Sequence, residues 1–264
     1  MAPETAVVIL ADPQKPLLPA EEEALSRYAS GGGRLLILLG PGGPSGAERL
    51  ATSWGVTFRG DTIIDPVARL FGEDYTTPLI RTYGEHEIVK DFRLATFFPF
   101  AQSLTFDAAK AATVEYQPLA LTSPDSWGET RIVGGKARFD PGQDARGPIE
   151  VAAAISEKKA AIPASSDGSS EPAAGGFRAV LVGNAAFATN RAFNKSGNGD
   201  FFLSALHWLT EERDLIAIRP KAASSSPLLL TAGQQRLVFW IPVLIVPGAV
   251  AVFGMVVWRR RRRL

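Results

Sequence analysis

The chain has 264 residues, of which 46% are hydrophobic and 21% charged, a composition typical of a folded protein rather than a disordered one. Its formal net charge is +1, but five of the 28 basic residues are the arginines 259–263, so the rest of the chain carries 23 basic residues against 27 acidic ones. A negatively charged body argues against nucleic acid as a partner. The chain has no cysteine, which excludes disulfides, thiolate metal sites and cysteine nucleophiles.

The first 55 residues alternate between strand and helix patterns. In chain order they predict a buried strand at 5–13, a helix that begins at 20 and ends at the glycines 31–33, a buried strand at 34–39 and a short helix at 45–55. Three glutamates in the first turn of the first helix suit the positive end of the helix dipole. Because strand, helix, strand, helix is the pattern of parallel strands joined by crossover helices, a parallel sheet is expected.

The middle of the chain predicts short strands separated by turns. Strand patterns occur in "DTIIDP" (61–66), "QSLTF" (102–106) and "EYQPLALT" (115–122), and a half-buried strand is predicted at 149–156. The low-complexity stretch 162–176 predicts a mobile surface loop. After it the pattern predicts a buried strand at 178–182, a packed helix that begins near Asn198 or Asp200, and a short strand at 215–221.

The C-terminal segment 237–258 contains 22 residues without a charge. As a helix it would be about 33 Å long, enough to span the hydrocarbon core of a bilayer. Trp240 and Trp258 lie near its ends, where indole rings favour the headgroup region. The sequence therefore predicts a transmembrane helix at 237–258, preceded by a linker at 219–236 and followed by a basic tail at 259–264.

The arginines of the tail predict the orientation of this helix. Basic residues that flank a membrane span stay in the cytoplasm, so the main domain is expected in the periplasm, on a single-pass protein of the inner (cytoplasmic) membrane. A domain that precedes its span needs an export signal, yet the N-terminus has no basic region followed by a long apolar stretch. Two explanations stay open: the chain is a fragment without its original start, which we favour, or it is tail-anchored with the domain inside the cell.

Ligands of open α/β sheets bind beyond the carboxyl ends of the strands. On that rule the candidate ligand-binding residues are Asp12 with Lys15, after the first strand, and Gly183 with Asn184, after a later buried strand. The glycine-rich loop 40–46 follows the second strand, but it lacks the lysine and hydroxyl pair of a P-loop, and its two prolines remove backbone donors. This loop predicts a plain strand-to-helix turn.

Signals for catalysis are weak in the sequence. No residues have metal-ligand spacing and no cofactor motif is present, so neither a metal nor a cofactor is expected. His86 lies between two glutamates, which is typical of a solvated strand or turn. Ser204 and His207 lie three residues apart on the packed helix, but such a pair without an acid to orient it is more often structural.

Two stretches resemble a known family. "VVILADPQKPLLPAEEEALSRYASGGGRLLILLGP" is similar to the opening, and "GNAAFATN" with "GNGDFFLSALHWLTEERDLIAIRPK" to the end, of a domain in the auxiliary components of gliding-motility-type ABC transporters, the GldG-like proteins. The resemblance implies a Rossmann-like fold similar to class I glutamine-amidotransferase domains, displayed outside the cytoplasmic membrane, and partnership with an ABC permease and ATPase. Such proteins usually begin with a membrane span and a further domain, both absent from this sequence. Where an amidotransferase carries its cysteine, this chain has Asn184 and Ala185.

The expected architecture is therefore a Rossmann-like α/β domain with a mostly parallel sheet over residues 1–218, plus one C-terminal transmembrane helix. The expected function is that of a non-catalytic, membrane-anchored auxiliary subunit of an ABC transport system, which binds the permease or the exported substrate outside the membrane. The alternative is a membrane-tethered hydrolase that uses Ser204 and His207.

Overall fold

The computed structural model describes residues 5–42, 45–158 and 176–210, and eight residues between 247 and 262. The chain divides into two units, Met1–Ile218 and Arg219–Leu264. The strands and the helices named below belong to the first unit, and the described residues of the second unit are helical except for a turn at Arg262. Its helices are α1 (Pro19–Ser30), α2 (Ala47–Ser53) and α3 (Asn198–Thr210). Its strands are β1 (Val8–Ala11), β2 (Arg34–Leu38), β3 (Val56–Phe58), β4 (Thr62–Ile64), β5 (Leu79–Ile80), β6 (Thr82–Tyr83), β7 (Thr96–Phe97), β8 (Leu104–Phe106), β9 (Val114–Leu121), β10 (Trp127–Glu129), β11 (Ala145–Arg146), β12 (Glu150–Glu157) and β13 (Arg178–Val182).

The ends of α1 follow from its sequence. Pro19 occupies the first helical position, where a missing N–H costs nothing, and the Glu21 carboxylate accepts a hydrogen bond from the Leu18 N–H at 2.8 Å. At the other end Gly32 adopts φ 83°, which lets the Gly33 N–H reach the Tyr28 carbonyl at 2.9 Å. The predicted opening of strand, helix, strand and helix is confirmed by β1, α1, β2 and α2.

The main sheet has eight strands, with the order β1-β2-β13-β12-β8-β3, and β9 pairs with both β12 and β6. Strand β2 pairs in parallel with β1 on one side and with β13 on the other. The remaining five of its seven described strand pairings are antiparallel. A separate three-stranded antiparallel sheet has the order β11-β10-β4, and β5 pairs with β7.

The prediction of a mostly parallel, Rossmann-like sheet is wrong. Parallel neighbours need a crossover of a dozen or more residues, usually an α-helix. Between α2 and α3 the described chain contains short 3-10 helices and no α-helix, so the strands of this region turn back and pair antiparallel. Parallel pairing between strands is confined, within the described residues, to β1 with β2, which α1 connects, and to β2 with β13.

Both faces of the central strands are buried. Along β2, Leu35 and Ile37 point to a cluster that includes Leu25 and Ala29 of α1, together with residues of α2. The alternate residues Leu36 and Leu38 point to the opposite cluster, which includes α3 and the segment 80–101. Because alternate residues of a strand face opposite sides, the continuous apolar run of β2 is what a strand between two layers requires.

Strand β12 is an alanine-rich strand in the middle of the sheet. Ala152 and Ala154 belong to the cluster beneath α3, and Ala153 and Ile155 to the cluster beneath α1 and α2. The prediction that this strand is half buried is wrong, since Val151 to Ile155 are all buried. Small side chains here leave room for the large rings of Phe98, Phe187 and Phe201 in the α3 layer, which are themselves fully buried.

Within the described residues, no helix is both long enough and apolar enough to cross a membrane. Most of the predicted span 237–258 lies outside those residues. So do the predicted strand at 215–221, the linker 219–236 and, except for Gly176, the predicted mobile loop 162–176.

Candidate functional site

The carboxyl ends of the three parallel strands bring the predicted ligand-binding residues to one edge of the sheet. Asp12 follows β1 with φ 46°, in the left-handed region that Asp tolerates better than most residues. Its carboxylate accepts a hydrogen bond from the Gly40 N–H, just after β2, at 3.1 Å, and its own N–H donates to the Leu38 carbonyl at 2.8 Å. Asp12 therefore ties the ends of β1 and β2 together. Lys15 is exposed beside this edge.

A residue that sequence reasoning missed, Gln102, forms the centre of this edge. Its side chain is 3% exposed, and its Nε2 donates to the carbonyls of Leu39 at 2.9 Å and Gly40 at 2.8 Å. Its Oε1 accepts from the Gly60 N–H at 2.8 Å, and its backbone N–H donates to the Gly183 carbonyl at 2.7 Å. Gln102 thus joins the end of β2 to the end of β13. A lone glutamine before a short strand carries no spacing signal that could have identified it.

Gly183 and Asn184 hold the segment 99–102 against the sheet. A Cβ at Gly183 would lie 2.0 Å from the backbone oxygen of Gln102, so only glycine permits this close approach. The Asn184 side chain is buried: its Nδ2 donates to the Pro99 carbonyl, and its Oδ1 accepts from the Phe187 N–H at 2.8 Å. These contacts give both residues a structural role, and their role in binding a ligand stays a prediction.

The same segment presents Phe100 to solvent. Phe100 has φ 56°, a left-handed conformation that is rare for a bulky residue, and its side chain is 61% exposed. Its N–H donates to the Thr76 carbonyl at 2.7 Å, next to the exposed Tyr75. The Arg69 guanidinium lies 4.8 Å from the centre of the Tyr75 ring, and the following residue, Leu70, is 80% exposed. We call Tyr75 and Phe100 the Phe100 patch.

A second candidate lies at the opposite end of β13, where Arg178 begins that strand. It is a pocket of about 310 Å³. The His86 ring packs edge-on against Trp208, with 4.7 Å between the ring centres and an angle of 76° between the planes. The Arg178 guanidinium lies 5.4 Å from the centre of the same indole. The lining is mostly polar and comprises Glu85, His86, Glu87, Glu115, Gln117, Ala154, Ile155, Ser156, Arg178 and Trp208.

Burial lowers the pKa of His86 below its usual range, while the carboxylates of Glu87 and Glu115 oppose this shift and Arg178 adds to it. The His86 Nδ1 accepts a hydrogen bond from the Ile88 N–H at 3.2 Å, which directs the proton of the neutral imidazole to Nε2. The sequence predicted a solvated strand or turn for His86, whereas the structure has it partly buried against an indole. With carboxylates, a guanidinium and an imidazole around one ring, the pocket can receive a polar ligand that carries both signs of charge.

Ser204 and His207 share α3, as the sequence predicted. Ser204 is buried and His207 is partly exposed, and within the described part of the chain no hydrogen bond joins their side chains. Among residues 5–42, 45–158 and 176–210, no group of three or more His, Asp or Glu side chains is arranged to hold a metal ion.

A family model described as "ABC-type uncharacterized transport system" matches residues 2–205. A comparison with curated proteins gave no match. Among solved structures, the chain is similar to one described as "mmIFT52 N-terminal domain", with 17% identity, a TM-score of 0.54, and coverage of 78% of this chain and 77% of that chain. It is also similar to a ThuA-like protein from Bacteroides uniformis, with 14% identity, a TM-score of 0.43, and coverage of 78% and 69%. The first of these similarities shows a shared fold and nothing more.

Proposed function

The chain belongs to the ABC-type uncharacterized transport system family and is an auxiliary component of such a system, and from this membership we propose that it is a non-catalytic subunit that binds the permease or the exported substrate. The permease and the ATPase of the transporter are the proposed partners. The family match covers the whole described part of the first unit except its last five residues, 206–210. The proposal therefore concerns the domain itself.

The single structural observation that supports a binding role is the Phe100 patch. An exposed phenylalanine in a left-handed conformation costs about 1–3 kcal/mol and persists only where the surroundings impose it. Here the surroundings are Asn184, which holds Pro99, and Gln102, whose buried amide fixes the other side. Backbone strain that keeps an aromatic ring in solvent is typical of a surface that contacts a partner, because aromatic residues supply much of the binding energy of interfaces.

The geometry of the potential catalytic groups supports a non-catalytic role. The carboxyl edge of the parallel strands, where α/β enzymes place their reactive groups, is occupied by the hydrogen bonds of Asp12, Gln102 and Asn184. The Ser204 and His207 side chains are not hydrogen-bonded to each other, whereas a nucleophile and its base need to be within hydrogen-bond reach. We propose that substituting either residue leaves transport intact.

Attachment to the membrane is part of the proposal. The uncharged segment 237–258 and the arginines 259–263 support association with the bilayer, with the domain on its outer side. Fractionation in high salt, which screens the attraction between basic side chains and anionic lipids, tests this part: the full chain should sediment with membranes, and a chain without residues 237–264 should not. Recovery of the shortened chain in the membrane fraction, in the absence of the transporter, would refute it.

Photo-crosslinking tests the partner. A benzophenone amino acid in place of Phe100, in the full chain in its native membranes, should crosslink to an ABC permease or to exported material. Leu203 on α3 is the matched control, since its side chain is 43% exposed and lies outside the patch. Equal crosslinking from both positions, or crosslinking from Leu203 alone, would show that the patch is not the binding surface. Loss of transport in Ser204→Ala or His207→Ala, with folding unchanged, would favour the hydrolase.

A further inference from the structure

The loop between β10 and β11 contains a β-hairpin that the function above does not use. Val133 and Lys136 pair across its tip: the Val133 N–H donates to the Lys136 carbonyl at 3.2 Å, and the Lys136 N–H donates to the Val133 carbonyl at 3.0 Å. The two residues between them, Gly134 and Gly135, have φ 59° and 72°, as a two-residue hairpin turn of this kind requires. We call residues 130–138 the basic hairpin.

The surface of the basic hairpin combines cations with exposed aliphatic side chains. Arg131, Lys136 and Arg138 are exposed, and the sequence 130–138 contains no acidic residue. Ile132 is 45% exposed and Val133 is 63% exposed. Because acidic residues outnumber basic ones in the chain apart from its arginine tail, three cations without an acid form a local reversal of charge. The glycine turn adds no side chain at the tip, so the two aliphatic residues are its outermost apolar groups.

Two carboxylates, one buried and one partly exposed, hold the base of the basic hairpin. Glu129 is 3% exposed: its Oε1 accepts from the Arg131 N–H at 3.1 Å, and its Oε2 accepts from the Arg138 N–H at 2.7 Å and from the Trp127 indole at 3.2 Å. Asp144 accepts from the Thr130 N–H at 3.0 Å. Within the described residues, these carboxylates bind backbone and indole donors and form no ion pair with the side chains of Arg131, Lys136 or Arg138. The hairpin is presented in a fixed conformation, which reduces the entropy that binding would cost.

We propose that the basic hairpin binds the surface of a bilayer that contains anionic lipids. Arg131, Lys136 and Arg138 would contact lipid phosphates, and Ile132 and Val133 would enter the boundary between headgroups and acyl chains. Cations around a small apolar tip match a surface that is anionic outside and apolar beneath. An acidic protein surface would match the cations but would offer no apolar contact to the exposed side chains of Ile132 and Val133. Binding of the basic hairpin requires lipid alone and involves neither the Phe100 patch nor a transporter.

The absence of native cysteine makes the experiment direct. Val133→Cys provides a unique attachment site for an environment-sensitive fluorophore on the full chain, which is then reconstituted into vesicles. The vesicles consist of phosphatidylcholine alone or of phosphatidylcholine mixed with phosphatidylglycerol, each with and without a lipid-attached quencher. We expect a blue-shifted, quenchable probe in the anionic vesicles and a solvent-like probe in the neutral ones. The same label on Leu203→Cys, in α3, should stay solvent-like in both.

Charge removal tests the role of the cations. Arg131→Gln, Lys136→Gln and Arg138→Gln together should lower the ratio of lipid-bound to free hairpin in anionic vesicles by about 100-fold, since each basic residue near an anionic surface contributes about 1 kcal/mol and 1.4 kcal/mol is tenfold. A matched control removes three exposed cations elsewhere and should change nothing: Arg81→Gln, Lys90→Gln and Arg93→Gln.

Three results would overturn the proposal. One is a probe at Val133→Cys that stays solvent-like in every vesicle. Another is equal quenching in neutral and anionic vesicles, which would show that the cations do not contribute. The last is a probe that becomes protected only when a purified transporter is added, which would assign the basic hairpin to a protein partner.

Discussion

Two substitutions at Phe100 separate the strain of its backbone from the contacts of its side chain. Phe100→Ala and Phe100→Gly both remove the ring, so the contacts of the 39% of the side chain that is buried are lost equally. They differ in the backbone, because φ is 56° and only glycine adopts this region without a steric penalty.

The magnitude follows from two opposing terms. A left-handed conformation costs a residue with a Cβ about 1–2 kcal/mol. Glycine loses more conformational freedom on folding than alanine, which reduces the advantage of the Gly variant by about 0.5–1 kcal/mol. The Gly variant should therefore be more stable than the Ala variant by about 0.5–1 kcal/mol. For a domain of this size that corresponds to a melting temperature higher by about 2 °C.

The assay is thermal and urea unfolding of both variants in the full chain, followed by tryptophan fluorescence. Leu203 is the control, because it lies inside α3, where the order should reverse: Leu203→Ala should be more stable than Leu203→Gly by about 1 kcal/mol. An Ala variant at position 100 that is as stable as the Gly variant, with the expected order at Leu203, would refute the argument that the Phe100 backbone is strained.

Other predictions concern the carboxyl edge and the polar pocket. Gly183→Ala should destabilise the domain by more than about 3 kcal/mol or prevent folding, since its Cβ would meet the Gln102 backbone. The control Gly42→Ala has open space around it and should stay within about 0.5 kcal/mol of the native chain. Equal melting temperatures of the two variants would contradict this. Gln102→Ala should lower the free energy of unfolding in urea by about 3 kcal/mol or more, because it leaves two carbonyls and one N–H without partners at about 1–3 kcal/mol each. The surface control Gln14→Ala should lower it by less than about 1 kcal/mol. The free energy of unfolding should fall as the pH drops below about 6.5, because the unfolded chain then protonates His86 while burial lowers its pKa in the folded state. His86→Phe should remove part of that fall, and an unchanged pH profile would refute this assignment.

Elements with a strong local pattern could be predicted from the sequence. The predicted strand at 178–182 coincides with β13, and the helix predicted to begin near Asn198 or Asp200 is α3, which begins at Asn198. Patterns of this kind depend on neighbouring residues alone. The apolar run of β2 correctly indicated a strand covered on both faces, because no polar residue interrupts it.

Pairing direction could not be predicted in the same way. The strands predicted in "DTIIDP", "QSLTF" and "EYQPLALT" exist as β4, β8 and β9, but nothing in their residues states which neighbour they have. The direction of pairing depends on the segments that connect the strands. The expected parallel sheet applies the alternating pattern of the first 55 residues to the middle of the chain, where the described residues form no α-helix. The failure was therefore one of topology rather than of secondary structure.

The candidate site also combines features that a local sequence pattern reveals with features that depend on distant contacts. Gly183 was predicted as a ligand-binding residue, which stays a prediction; the structure shows in addition that the Gln102 backbone lies too close to Gly183 to admit a Cβ. Gln102 and the Phe100 conformation depend on contacts between residues far apart in sequence, and a single glutamine or phenylalanine has no periodicity to reveal them. His86 was misplaced because its two glutamate neighbours suggest solvent, whereas Trp208, more than a hundred residues later, covers it.

Strand β2 pairs with two neighbours that a ribosome makes at very different times. Leu36 pairs on one side with Ile9 of β1, 27 positions earlier, and on the other side with Val180 of β13, 144 positions later. Until β13 emerges during translation, the nascent chain presents one edge of a strand that is apolar from Leu35 to Leu38, and such an edge is prone to pair with other chains. Sheets that depend on distant pairings fold slowly, so completion of this domain should be a late and chaperone-sensitive event. Pulse-labelled hydrogen exchange measures it: amides of β2 should gain protection together with those of β13, and not earlier with those of β1.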